Sequence, residues 1–428
     1  MIIGLSLCLL LALLFLSVPV AASLGLAAFL PSVMGAPIQP SSIIRTMMTA
    51  MDSFPLLAVP LFILAGEIMT RGGLARRLFH LADVMVGRFT GGLAMATVLA
   101  CMFFGAISGS APATVAAIGS MAIPILVGRG YEKTFATALV VCAGTLGVII
   151  PPSIPLIIYG AAANVSVGKL FIGGIVPGIV VGLCLMVHAY FYGRRNRDRI
   201  QTLSHDVSLL KTLRETIWAL MTPLVVLGGI YTGVFTPTEA AAVAVAYGLF
   251  VAVFVYREIS FRDIPKVVSA AATTVAPILI IAAAGAAFGR VLTLLQAADL
   301  IGDYVSSVVP GPIALLLLIN VLLLIVGMFM EKLASIIVMT PILLPIVVPY
   351  GVDPIHFAII MSVNLTVGLA TPPMGLVLFV AAAVSREKVE TIAKAILPFL
   401  AVEIIVIFLI TYIPAISMTI PRITGFAN

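Results

Sequence analysis

The sequence predicts an all-α polytopic membrane protein, and three observations lead to this fold class. The 428-residue chain is 62% hydrophobic and only 9% charged, whereas soluble domains carry charge on about a quarter of their residues. Its apolar stretches are long enough to cross a bilayer as helices. Two parts of the chain also repeat each other at a fixed offset. Lipid must therefore be the solvent, and we expect a single transmembrane domain over residues 1–428.

The apolar stretches predict about eleven membrane segments, most of them one tilted helix each. Residues 91–126 and 312–349 run well past one span and are interrupted by polar residues, so we expect a re-entrant helical hairpin in each. Residues 1–23 resemble a signal peptide only faintly, because no Lys or Arg precedes the apolar core and the apolar run continues to Leu30. We expect a first membrane helix there instead.

The repeat consists of matched residues 221 positions apart (372 − 151 = 221). The matching pairs are Ile123-Pro124 with Leu344-Pro345, Thr145 with Thr366, Gly147 with Gly368, and Pro151-Pro152 with Pro372-Pro373. We expect repeat 1 at about residues 52–193 and repeat 2 at about 268–420. Each contains a broken long segment followed by a second interrupted one, and such paired breaks point to a transporter binding site.

The charges predict that the two repeats are inverted relative to each other. Residues 71–88 contain four arginines and one aspartate, whereas the matching residues 290–311 contain one arginine and two aspartates. Positively charged segments favour the cytoplasm. If both broken stretches return to the side they entered, every basic cluster lies inside. Two full crossings for each stretch would satisfy the charges equally well.

The first hairpin tip contains Ser108, Gly109 and Ser110, followed by Pro112 at a predicted helix start. Broken helices persist in hydrocarbon only where protein or a water-filled cavity satisfies the backbone. The tip offers hydroxyl and carbonyl oxygens, which hard cations prefer, and a helix N-terminus that favours anions. The alternative is a packing kink in which small glycines let two helices approach closely.

Two further interruptions lie opposite the predicted tips. They are Gly144-Thr145-Leu146-Gly147 with Pro151-Pro152-Ser153, and Asn364-Leu365-Thr366-Val367-Gly368 with Thr371-Pro372-Pro373. Adjacent prolines remove helical donors and exclude the preceding residue from a helix. We expect the side-chain oxygens of Thr145, Ser153, Asn364, Thr366 and Thr371 to complete two pseudo-symmetric oxygen cages.

Glu331 and Lys332 are the only charges in residues 312–349. Charge within a membrane segment is a functional hypothesis by default, so Glu331 is expected to bind a cation or gate the site; a solvated tip at the membrane surface is the alternative. Glu67 and Arg71 are predicted to form a structural pair, and Glu403 in the last span has no assigned role. No catalytic motif is present, and the net charge of +6 lies in loops, so neither an enzyme nor a nucleic-acid partner is predicted.

Three segments resemble the large membrane (M, DctM-like) subunit of tripartite ATP-independent periplasmic (TRAP) transporters. They are residues 104–119 (FGAISGSAPATVAAIG), 231–243 (YTGVFTPTEAAAV) and 364–375 (NLTVGLATPPMG). The likeness runs from about residue 2 to 420. It implies a bacterial inner-membrane, elevator-type importer of small organic acids, such as C4-dicarboxylates or sialic acid, coupled to sodium ions and needing no organic cofactor.

The resemblance also implies partners and site residues. The partners are a separate four-helix Q subunit, a periplasmic substrate-binding protein and membrane lipid. Substrate is expected at Ser110, Ser153, Glu331 and Thr371, and sodium at Ser108, Gly109, Ser110, Gly144, Thr145, Gly147, Glu331, Asn364, Thr366 and Gly368. Many relatives have Asp in place of Glu331. The binding protein is expected to supply most of the substrate selectivity.

Two other functions stay open at this point. One is a stand-alone secondary carboxylate permease or antiporter that works without a binding protein. The other is a membrane-embedded enzyme acting on a lipid or isoprenoid substrate, for which no His or carboxylate lies near Ser108 or Ser110 in the sequence.

Overall fold

The computed structural model describes residues 2–16, 18–200, 208–373 and 375–425, and these residues form helices joined by short connections, without a β-strand. The predicted all-α membrane fold is confirmed. Eight of the described helices are long and apolar enough to cross a membrane, or up to nine if the bent pair at residues 389–412 counts as one span. This count is lower than the predicted number because several apolar stretches divide into shorter helices.

The predicted single helix at residues 2–31 is wrong. The chain instead forms α1 (Ile2–Phe15) and α2 (Val20–Val33), which pack against each other. Pro19 precedes α2 and has no N–H to donate, and it also disfavours a helical conformation at Val18. The next helix, α3 (Pro40–Met51), packs against a long helix of repeat 2 described below.

Repeat 1 and the connecting region follow in chain order. The helices of repeat 1 are α4 (Phe54–Arg71), α5 (Leu74–Val86), α6 (Gly92–Ser108), α7 (Ala111–Gly128), α8 (Lys133–Thr145), α9 (Ile154–Ala163) and α10 (Val167–Arg195). The connecting helices are α11 (Leu209–Tyr231) and α12 (Pro237–Phe250). The Thr236 and Glu239 side chains form a capping box at the start of α12, as the sequence predicts.

Repeat 2 follows the same order of helices with one exception. Its helices are α13 (Ile264–Leu294), α14 (Ala297–Val308), α15 (Pro312–Phe329), α16 (Lys332–Val347), α17 (Pro354–Ala370), α18 (Leu376–Ser385), α19 (Val389–Ala395) and α20 (Leu397–Tyr412), with α21 (Ala415–Ile423) after them. The exception is the bent pair of α19 and α20, which stands where repeat 1 has the single helix α10. Helix boundaries follow the sequence offset: α16 begins 221 residues after α7 (332 − 111 = 221), and α17 begins 221 residues after α8 (354 − 133 = 221).

Both predicted proline-pair breaks interrupt helices, but the second starts later than the sequence predicts. α8 ends at Thr145, whereas α17 continues through residues 364–368 and stops at Ala370, immediately before Thr371 and the proline pair. Prolines exclude only the residue just before them from a helix. Asn364 and Thr366 lie too far before the proline pair to be excluded from the helix, and their side chains bond to Asn320 of α15 and Lys332 of α16.

α17 and α8 form the centre of the molecule. Every residue from Ile355 to Ala370 is buried, and α17 packs against α15, α16, α20, α10 and α8. By contrast, only about a third of α11, α13 and α15 is buried in the window that could cross a membrane. The first proline-pair break, residues 151–153, is buried within the protein, as unsatisfied backbone in a membrane requires. In the second break, Thr371 and Pro372 are half-buried and Pro373 is exposed.

Candidate functional site

The first tip joins α6 to α7 and gathers several oxygen atoms. Gly109 ends α6 with a left-handed φ of 59°, a conformation that glycine adopts without strain. Ser110 caps α7, with its hydroxyl 3.4 Å from the Ala113 amide. The Thr114 hydroxyl donates to the Ser110 carbonyl at 2.8 Å and lies 3.2 Å from the Ser108 hydroxyl. The tip thus presents a cluster of uncharged oxygens.

The first break lies directly against this tip. A Cβ atom on Gly147 would lie 2.8 Å from the Ser110 carbonyl oxygen and closer still to the Thr114 hydroxyl. A Cβ atom on Gly105 would lie 2.7 Å from the Gly147 Cα. Only glycines permit this approach. The donor set around Ser108, Ser110 and Thr114 consists of hydroxyl and carbonyl oxygens, and it fits a small hard cation.

The other predicted residues of the first break satisfy the backbone locally. Thr145 donates to the Cys142 carbonyl at 2.6 Å, and Ser153 donates to the Val148 carbonyl at 2.7 Å. Gly144 packs tightly against Val115 of α7. These contacts hold the break in shape, and they leave the hydroxyls of Thr145 and Ser153 already engaged.

Glu403 is a residue of this region for which the sequence predicted no role. It projects from α20, is 1% exposed, and places Oε1 3.2 Å from the Thr145 hydroxyl. The signal was visible as a lone carboxylate in an apolar span. The sequence could not show that Thr145 is its partner, because Thr145 and Glu403 are 258 residues apart.

The second tip has a charged cap where the first has a neutral one. Glu331 occupies the position equivalent to Ser110 (331 − 110 = 221). Its Oε2 accepts from the amides of Leu333 at 2.8 Å and Ala334 at 3.1 Å. A carboxylate at a helix N-terminus is stabilised both by these bonds and by the helix dipole. Whether Glu331 also binds a cation or gates the site stays a prediction.

Lys332, which follows Glu331, points into the protein and not toward solvent. It is 1% exposed, and its ammonium donates to Ser362 Oγ at 3.1 Å and to Thr366 Oγ1. Thr366 was predicted as a sodium ligand. Sequence reasoning treated Lys332 only as half of a charged pair, and no local pattern indicates its contact with Thr366, 34 residues away.

The remaining predicted residues of repeat 2 pack between helices. Asn364 donates to Asn320 Oδ1 at 2.7 Å, and its own Oδ1 has no hydrogen-bond partner among the residues that the structure describes. Thr371 donates to the Val367 carbonyl at 2.7 Å. A Cβ atom on Gly368 would lie 2.6 Å from the Gly327 Cα, so the end of α17, just before the second break, lies against α15 as closely as the first break lies against α6.

A cavity of about 280 Å³ lies between the two tips. Its polar lining includes Ser108, Ser110, Glu331 and Lys332 from the tips, Glu67 from α4 and Thr274 from α13. Glu67 forms the predicted pair with Arg71, at 3.4 Å. Two predicted substrate residues, Ser110 and Glu331, therefore line one cavity, whereas Ser153 and Thr371 are not among its lining residues.

Comparisons with known proteins agree on one family. The family described as "Tripartite ATP-independent periplasmic transporter, DctM component" matches residues 7–416. The isethionate TRAP transporter permease protein DctMQ of Oleidesulfovibrio alaskensis is 48% identical over 412 residues, which are 95% of this chain and 64% of that protein. This chain thus spans less than two thirds of that relative.

Other relatives are covered almost completely. The C4-dicarboxylate TRAP transporter large permease protein DctM of Pseudomonas aeruginosa is 44% identical over 95% of both chains. The sialic acid TRAP transporter large permease protein SiaM of Vibrio cholerae is 34% identical over 89% of both.

The solved structure of the Alcanivorax borkumensis YdaH transporter supports the fold alone. It has a TM-score of 0.67 at 15% identity and covers 96% of this chain and 97% of that one. The family match, the curated relatives and the apolar helices together place this chain in the bacterial inner membrane, as a transporter permease. The chain belongs to the DctM family of TRAP transporter large permease subunits.

Proposed function

We propose that this permease imports small organic anions in symport with sodium ions. The observation that carries the proposal is the cavity enclosed by the two helix tips, with Ser108 and Ser110 on one side and Glu331 and Lys332 on the other. Transporters with repeated units bind substrate at such meeting points of broken helices.

The N-terminus of α7 is the part of this cavity best suited to an anion. Helix N-termini attract negative charge through their free amides and their dipole. The second tip already carries the Glu331 carboxylate, which takes two of the amides of α16. The first tip carries only the neutral Ser110 hydroxyl, with a long 3.4 Å bond. A substrate carboxylate or sulfonate would therefore bind beside Ser110 and Pro112.

Sodium would bind next to that anion in the oxygen cluster of Ser108, Ser110 and Thr114. A cation there would balance the substrate charge, which links the binding of the two. The relatives' names include isethionate, C4-dicarboxylate and sialic acid. These compounds share an anionic group and differ in size, so the class of substrate for this chain is a small organic acid.

We further propose alternating access by an elevator movement of the tip-bearing helices. The contact of Gly105 with Gly147 holds α6 of the first tip against the first break, and the contact of Gly327 with Gly368 holds α15 of the second tip against the end of α17. Backbones held this closely move together, since packed interiors do not deform continuously. The tips, the breaks and the cavity would then cross the membrane as one body against α11, α12 and α13.

The proposed partners are a small four-helix Q subunit and a periplasmic binding protein that delivers the substrate. Support comes from the relatives, several of which are named as large permease proteins of TRAP transporters. One relative with a longer chain is named DctMQ, a name that joins the letters M and Q of the large and small subunits. A binding protein would supply the selectivity that an uncharged first tip does not.

Uptake by proteoliposomes that contain the permease with its small subunit tests this function. We expect uptake of a radiolabelled organic acid only with an inward sodium gradient and the binding protein. Ser110→Ala should reduce uptake at least about tenfold, given the usual cost of losing a polar contact to a charged group. Ser120→Ala is the matched control, because this α7 hydroxyl is exposed and bonds only its own helix. Uptake without the binding protein would instead indicate a stand-alone permease.

A further inference from the structure

The two tips are equivalent in sequence position but not in charge. Lys332 of repeat 2 corresponds to Ala111 of repeat 1 (332 − 221 = 111), and Ser362 corresponds to Val141 (362 − 221 = 141). The lysine and one of its two hydroxyl partners are therefore both missing from repeat 1. The other partner, Thr366, has the equivalent Thr145.

The Lys332 ammonium lies in the place predicted for a sodium ion. It is 1% exposed and bonds to the hydroxyl oxygens of Ser362 and Thr366. The Thr366 hydroxyl in turn bonds to the Ser362 carbonyl. An ammonium group has three donors, no acceptor and one positive charge. It thus meets the same oxygens that a hard cation requires.

A sodium ion does not fit beside this group. The hydroxyls that would coordinate sodium already accept from the lysine, and two positive charges a few ångströms apart repel strongly inside a protein. The first tip differs, because its Ser108, Ser110 and Thr114 oxygens bond to one another and Ala111 leaves the adjoining position uncharged.

We propose that Lys332 is a built-in cation that replaces the sodium ion of repeat 2, so that sodium coupling depends on the oxygen cluster of repeat 1. This inference rests on the proposed sodium symport. Lys332 would supply a positive charge below the second tip, where it accompanies the Glu331 carboxylate and the anionic substrate. Fewer sodium ions would then move with each substrate than in a protein that binds sodium at both tips.

Equilibrium binding of radioactive sodium to the permease with its small subunit, in lipid nanodiscs, tests this inference. We expect Thr366→Val to bind sodium with an affinity within about twofold of wild type, and Ser108→Ala to bind at least about tenfold more weakly. Lys332→Ala recreates the residue found at position 111 and should bind one additional sodium ion per chain.

Thr366→Val weakening sodium binding as much as Ser108→Ala would overturn the inference, as would an unchanged number of bound ions in a folded Lys332→Ala variant. If Lys332→Ala fails to fold, the comparison of sodium binding by Thr366→Val and Ser108→Ala still tests the inference. The proposed symport itself would be refuted if the wild-type protein bound no sodium and its uptake rate did not depend on the sodium concentration. Sodium-dependent wild-type uptake combined with a large Thr366→Val effect would refute only the role of Lys332.

Discussion

The Glu403 carboxyl group lies 3.2 Å from the Thr145 hydroxyl, where α20 meets the end of α8. Its second oxygen has no hydrogen-bond partner among residues 2–16, 18–200, 208–373 and 375–425. A buried ionisable group in a membrane segment is costly and usually serves a function. Its hydrogen-bond partner, Thr145, does not line the cavity. We therefore expect Glu403 to act through Thr145 as a positioning residue for the first break.

Glu403→Ala should therefore weaken sodium binding by about tenfold, because Thr145 loses its support and α8 can shift at the break. Glu403→Gln retains an acceptor oxygen and should change sodium affinity by no more than about threefold. The half-saturating sodium concentration for uptake measures both effects. Equal losses for Ala and Gln would point to a need for the negative charge and not for the hydrogen bond.

The caps at Glu331 and Asp353 permit a matched test of the second tip. Each carboxylate begins a helix: Glu331 accepts from Leu333 and Ala334, and Asp353 accepts from Ile355 at 2.7 Å and His356 at 3.4 Å. Either substitution by Ala should cost about 1 kcal/mol of stability.

Only Glu331 lines the cavity, so only Glu331→Ala should also reduce uptake. Thermal midpoints and initial uptake rates of both variants check this. If Asp353→Ala lowered uptake as much as Glu331→Ala, the effect of Glu331 would be one of helix stability, and its predicted role in binding would be lost.

Sequence reasoning reached the fold class and the residues of the tips because both depend on local features. Long apolar stretches, Gly-Ser interruptions and proline pairs determine where helices can run and where they must stop. The sequence predicts a helix start just after Ser110, and Ser110 does cap α7; Glu331, 221 residues later, caps α16.

Long-range contacts could not be predicted in this way. Lys332 meets Thr366 and Glu403 meets Thr145 across helices that are distant in the sequence. The start of the second break was also misplaced, since Asn364 and Thr366 looked like unwinding residues until their interhelical partners were known. The division of residues 2–31 into two helices was signalled by Pro19, but the apolar pattern outweighed it.

The buried amides Asn320 and Asn364 provide a third prediction. Asn364 donates to Asn320 at 2.7 Å, and Asn320 donates to the Thr411 hydroxyl at 3.1 Å. Either substitution by Ala leaves buried polar partners unsatisfied, which should cost about 1–3 kcal/mol.

If Lys332 replaces sodium in repeat 2, neither of these variants should shift the half-saturating sodium concentration by more than about twofold. Thermal unfolding in detergent and sodium titration of uptake measure the two expectations separately. A shift confined to Asn364→Ala would instead identify the unpartnered Asn364 Oδ1 as a sodium ligand.

The close glycine contacts at the first break and at the end of α17 lead to the last prediction. Gly147→Ala would force a methyl group against the Ser110 carbonyl, and Gly368→Ala would force one against the Gly327 backbone at 2.6 Å. Neither neighbour is a flexible side-chain end, so backbone must move, at a cost of about 1–3 kcal/mol.

Gly228→Ala is the control, because nothing lies within 4 Å of its added methyl group on α11. There the substitution should be neutral or stabilising, since alanine favours a helix by about 1 kcal/mol over glycine. Thermal midpoints rank the three variants. Because the glycines hold α6 and α15 of the tips against the first break and the end of α17, Gly147→Ala and Gly368→Ala should also slow uptake at saturating substrate, and stable but fully active variants would contradict the rigid elevator body.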